Sequence, residues 1–134
     1  MKYELDLLRV SCRNIGWAVR DVHLGIEVDL GDGAILCFQN ADRDADCLIG
    51  FSGTPWHAHD HPSFSGAHGY YAEVDYRDLP AALNEGRVLI CELESNGRTT
   101  DRWLVHRDFN DELKHLEDGE RIIVRRAQTR LAAP

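Results

Sequence analysis

The amino-acid sequence predicts an α+β fold: a mostly antiparallel sheet of about six strands, with an N-terminal helix and a second helix near residues 108–118. Three observations carry this. Val22, Leu24, Ile26, Val28 and Leu30 alternate strictly with His23, Gly25, Glu27 and Asp29, the period of a half-buried strand. Apolar runs at 87–94 and 99–106 flank Asn96-Gly97, the strongest short hairpin signal in the chain. Helical periodicity gathers at the two ends of the run of strands, a pattern of α+β rather than alternating βαβ units. A half-open barrel is the alternative closure of the same sheet.

Each element has its own signal. Leu5, Leu8, Cys12 and Ile15 fall at helical spacing within residues 3–18. Gly31-Asp32-Gly33 reads as a turn and Ala34–Phe38 as the returning strand, followed by a polar loop, Asn40–Asp46, and an apolar strand, Cys47–Phe51. Residues 52–69 are the least regular stretch. Tyr70–Tyr76 alternates again. Pro80–Glu85 reads as a short helix between Asp78 as N-cap and Gly86. Asp108 caps the expected later helix, whose Phe109, Leu113 and Leu116 share one face and which closes at Gly119. Arg121–Arg125 is the last strand, and residues 127–134 read as a frayed tail of a single domain spanning 1–134.

Composition narrows the function. Of 134 residues, 43% are hydrophobic and 28% charged, which excludes a disordered chain, and no apolar run reaches the ~18 residues of a membrane span. Net charge is −8, unevenly spread: Arg121, Arg125, Arg126 and Arg130 stand among residues 121–134 with no acid, so residues 1–120 carry −12. A body that negative repels phosphate backbones and anionic lipid. The reading is therefore no nucleic acid and no membrane, with a basic protein as the partner that fits. Nothing in the pattern specifies an oligomeric state.

Cys12, Cys37, Cys47 and Cys91 form no CxxC pair, and their spacings of 25, 10 and 44 residues match no zinc-finger pattern. Cys37 and Cys91 lie in apolar runs and read as reduced core residues. MKYELDLLRV has two acids in its first six residues and no signal-peptide apolar region, so the expected compartment is the cytoplasm. Thirteen Arg against two Lys point to a GC-rich bacterial genome.

Candidate site residues concentrate in the irregular stretch. His57, His59 and His61 would share one face if Trp56–His61 is extended, and neutral imidazoles on one face are a usual start of a transition-metal site. Gly50 or Gly53 ahead of His57-x-His59 resembles the first cupin motif. Residues 60–67 nevertheless lack the expected glutamate, and no Pro-x-Gly precedes His106, so the chain is not assigned to that family. His106 is kept as a fourth ligand candidate. Trp56, Phe64, Tyr70 and Tyr71 flank the histidines and join them as binding candidates, since aromatics make good interface anchors.

Other motifs fail. Asp42, Asp44 and Asp46 alternate as in a calcium loop, but Cys47 and Gly53 stand where glycine and glutamate are required. There is no G-x-S-x-G and no phosphate loop. Glu92 and Glu94 read as an exposed sheet face opposite Leu89, Cys91 and Leu93. The function expected is thus a non-enzymatic interaction protein of inhibitor or immunity type, using the 52–71 segment and needing no cofactor. The alternative is a metal-binding protein or metal-dependent enzyme, with zinc, iron or nickel held by the histidines.

Overall fold

Helix α1 (Leu5–Ile15) forms where its spacing predicts, burying Leu8 and Cys12, and ends at Gly16 in the left-handed conformation. The computed structural model that shows this describes residues 1–42, 47–66, 69, 71–108 and 116–128. Asp44, Asp46, His68, Tyr70, most of the helix expected at 108–118 and residues 129–134 lie outside the described residues.

The alternating stretch 22–30 is two strands, not one. β1 (Val19–Val22) and β2 (Gly25–Asp29) pair antiparallel with Val22 opposite Gly25, and Leu24 turns the chain at a φ of 60°. The two-residue turn reverses the side-chain parity. Ile26 and Val28 point into the core, while Val22 falls on the opposite face with Gly25. Glycine is required at 25 by close approach: a Cβ there would lie 2.2 Å from the Phe38 carbonyl oxygen.

β3 (Ile35–Gln39), β4 (Leu48–Phe51) and β5 (His57–His59) complete a five-stranded meander in the order β1-β2-β3-β4-β5. β6 (Ser63–Ser65) and β7 (Tyr71–Glu73) form a small hairpin, followed by α2 (Leu79–Glu85). Asp78 occupies the N-cap position of α2 without a side-chain cap bond. β8 (Val88–Ser95), β9 (Arg98–His106) and β10 (Glu120–Arg125) make the third sheet, ordered β10-β8-β9. Asn96 and Gly97 both take positive φ, as the hairpin signal requires. All pairs are antiparallel, and the sheets stay open rather than closing into a barrel. There are ten strands among the described residues where the sequence predicts about six; the split at 22–30 and the two short strands within 52–69 account for most of the difference.

One face of the meander supplies the core. Ile26, Val28, Leu36, Phe38, Ile49 and Phe51 meet Leu8 and Cys12 of α1, Leu79 and Leu83 of α2, and Val88, Ile90 and Leu104 of the third sheet. The opposite face of β8 and β9 holds a second apolar cluster of Cys91, Trp103 and Val105. β8 is thus buried on both sides along much of its length, which explains its continuous apolar run.

That double burial overturns the exposed reading of Glu92. Its face is the one carrying Val88 and Ile90 toward the main core. There Arg102 Nε donates to Glu92 Oε2 and Arg125 Nε to Glu92 Oε1, both at 2.7 Å. Arg125 Nη2 also donates to the Gly31 carbonyl at 2.8 Å, which ties the third sheet to the β2–β3 turn. Just beyond β10, the Gln128 N–H donates to the Leu30 carbonyl, and the Gln128 carbonyl accepts from Trp17 Nε1. Ala127 packs on the core. The first two residues of the expected frayed tail are therefore anchored.

Burial is the largest single influence on the Glu92 carboxyl and pushes its pKa up. The hydrogen bonds and charges of Arg125 and Arg102 together outweigh it and hold the carboxyl below its ordinary 4.5. Its folded pKa is depressed, so its stabilisation is complete above the unfolded value and drains as pH falls below about 4.5. Glu92→Ala strands two part-buried cations and is expected to cost about 2–4 kcal/mol, on the order of 10 °C in Tm. Glu94→Ala removes an ion pair with Arg121, whose side chain is 70% exposed, and is expected to cost under about 1 kcal/mol. Thermal melts of both variants check this, and the gap between wild type and Glu92→Gln should narrow from pH 5 to pH 3.

Candidate functional site

The face of the meander turned away from the core is a half-exposed surface carrying mixed chemistry. Strand register sets its side chains in rows. Arg20 pairs with Glu27, Glu27 with Cys37, Cys37 with Gly50 and Gly50 with His57, so these five positions cross the sheet in one line. Gln39, Leu48 and His59 lie in the adjacent row. Two open depressions sit along β3 on this face. One, of about 370 Å³, is lined by Arg20, Glu27, Asp29 and Ile35 among others. The other, of about 260 Å³, has Cys37, Leu48, Gly50, Trp56 and His57 in its wall. Sequence reasoning missed the meander half of this surface, whose signal was the second alternation within β2 and β3.

His57 and His59 stand on this face, exposed on edge strand β5, with their rings edge to face at 5.2 Å. His57 Nδ1 lies 3.2 Å from the Pro55 carbonyl. A carbonyl only accepts, so Nδ1 carries the proton and Nε2 is left as the lone-pair nitrogen of the neutral ring.

His61 does not join them. Asp60 takes a φ of 54°, the strand stops at His59, and the period of two breaks there. Tyr3 Oη locks this corner by donating to the Asp60 carbonyl at 2.6 Å. His61 Nδ1 accepts the Tyr76 N–H at 3.0 Å, and its ring stacks on Tyr76 at 5.6 Å. His106 is buried at the end of β9, 5.7 Å from the Phe64 ring, and its Nδ1 accepts the Asp108 N–H at 3.1 Å. Burial, then the charges of Arg107 and Arg87, lower its pKa against the opposing pull of Asp108. Two histidines, rather than three or four, share one face. Among the described residues no three His, Cys, Asp or Glu side chains gather into a metal-binding group.

The aromatic candidates divide. Trp56 is half-buried and packs against both apolar clusters, 6.1 Å from the Phe51 ring, with its N–H donating to Asp101 Oδ1 at 3.3 Å. It staples the meander to the third sheet. Phe64 is buried in the core. Tyr71 is exposed, and its hydroxyl donates to Glu73 Oε2 at 3.3 Å. Tyr70 lies outside the described residues.

Cys37 is the nucleophilic atom type on the surface, and its environment mutes it. Its thiol donates to Glu27 Oε2 at 3.7 Å, and its pKa is pushed up to about 11, by burial first and then by the Glu27 carboxylate. At neutral pH it is a thiol, not a thiolate. Burial pushes Cys12 up to about 12. Native protein at pH 8 is therefore expected to react slowly with a thiol reagent at Cys12 and Cys37, and denatured protein to yield four thiols. Fast native labelling of Cys37, read by mass spectrometry, would contradict this.

Trp56→Ala opens space between two clusters from a half-buried position. The expected cost is about 2–3 kcal/mol, below the ~3–5 kcal/mol of a fully enclosed tryptophan, as measured by urea unfolding.

No known protein family, no curated protein and no solved structure matches this chain.

Proposed function

We propose that the protein is a non-enzymatic binding protein of inhibitor or immunity type, which holds a basic protein partner on the outer face of the five-stranded meander and the adjoining 52–71 segment. The observation that carries this is the depression where the Asp29 carboxylate and the Glu27 carboxylate, itself paired with Arg20, stand beside Ile35, so that an incoming cation would share or replace Arg20 on Glu27. A cationic side chain with an aliphatic stem, arginine or lysine, fits such a wall: the stem packs on apolar surface and the head meets carboxylate. The neighbouring depression offers Leu48 and the edge of Trp56 to an apolar anchor. A net charge of −8 adds long-range attraction for a basic partner. The protonated state of Cys37 favours recognition over thiol chemistry at this surface.

The test is affinity capture from the source cells, followed by binding measurements with the purified captured protein. The expected partner is basic, and its affinity falls as ionic strength rises. Ile35→Arg and Leu48→Arg, each folded by its melting curve, should weaken binding at least tenfold, about 1.4 kcal/mol. Leu7→Arg, on the exposed side of α1, should leave it unchanged. An acidic partner, or one indifferent to both meander variants, sinks the proposal.

A further inference from the structure

We infer that His57 and His59 form a two-histidine clasp for a borderline divalent transition metal, of the nickel or zinc class. This does not rest on the partner reading. The two residues are i and i+2 on a strand, so their side chains leave the sheet on the same side. Their ring centroids are 5.2 Å apart, the separation of two imidazoles that share one ion at the ~2.0–2.1 Å of a metal–imidazole bond, and rotation of these exposed side chains would aim a nitrogen of each at it. His57 already has the arrangement usual for a ligating histidine. Its Nδ1–H is spent on the Pro55 carbonyl, which fixes the tautomer and leaves Nε2 to ligate.

The backbone under the pair is tied down at several points. β5 is held to β4 through Leu48 opposite His59 and Gly50 opposite His57. Gly50 is what lets His57 seat against the sheet: a Cβ at 50 would lie 3.0 Å from the Trp56 carbonyl oxygen and 3.4 Å from His57 Cβ. Trp56 anchors the strand on one side, and the Tyr3 bond to Asp60 locks the corner on the other. A clasp held this way loses little freedom on binding a metal. Two protein nitrogens leave the remaining coordination positions to water, so the site is open and exchangeable, unlike a structural four-ligand zinc centre. The acidic chain raises the local concentration of any cation.

Calorimetric titration of Ni²⁺ into tag-free, chelator-stripped protein at pH 7.5 tests this. One ion per chain is expected. His57→Ala and His59→Ala should each weaken binding by roughly tenfold or more, and zinc should compete. His61→Asn, which keeps an acceptor for the Tyr76 N–H, should stay within about twofold of wild type. As a second readout, Ni²⁺ should raise the Tm of wild type and of His61→Asn but not of the two alanine variants. Three results would each overturn the clasp: no heat or Tm change at millimolar Ni²⁺, unchanged affinity in either alanine variant, or an equal loss in His61→Asn.

Discussion

The buried carboxylate of Glu92, held between Arg102 and Arg125, is the constraint on which the arrangement of the sheets depends. It lies on the one face of β8 and β9 that the main core needs, and it joins all three strands of their sheet. Arg125 carries the network outward by donating to the Gly31 carbonyl, so the turn between β2 and β3 is positioned by a residue 94 places later in the chain. Such a triad adds little over well-packed apolar residues, yet removing one member leaves uncompensated charge in a largely enclosed site. It tolerates change poorly for that reason. The crossing backbone at Gln128 then doubles the link, through the Leu30 carbonyl and the Trp17 indole.

With the third sheet so docked, the meander spends one face on the core and presents the other. The side chains on that other face follow from strand register alone: Arg20, Glu27, Cys37, Gly50 and His57 in one line, Gln39, Leu48 and His59 in the next. Glycine at 50 leaves a gap between Cys37 and His57 and so helps make a depression rather than a ridge. The chemistry in these rows suits recognition: carboxylates beside aliphatic groups, a thiol kept protonated by its neighbours, and two imidazoles side by side. The partner and metal proposals meet at the His57 end of this surface, yet neither needs the other to hold.

Local signals settled a good part of the chain. The period of α1, its stop at Gly16, the left-handed Asn96-Gly97 turn and the apolar runs of β8 and β9 are all legible residue by residue, because each depends on near neighbours. So was the α+β class, since strands follow one another as hairpins and do not alternate regularly with helices. The His57–His59 pair was legible for the same reason, as period two operates within a single short strand.

Only the tertiary structure decided the rest, because the deciding contacts are distant in sequence. Alternation at 22–30 looks the same for one strand and for a hairpin; the pairing of Val22 with Gly25 and the positive φ of Leu24 show which it is. Val88, Ile90 and Glu92 alternate with Leu89, Cys91 and Leu93, and both sets are mostly apolar, so periodicity could not say which face meets the core. Long-range packing placed Glu92 inside, and Arg125, 33 residues on, made that burial tolerable. His61 turned inward because Tyr3 and Tyr76 hold the Asp60 corner, and His106 became a core residue because Phe64 packs beside it. The sequence by itself determined which elements form and which residue types they carry. Which side of each element faces the core was a property of the assembled sheets, since burial is decided by what packs against a face and not by the face alone.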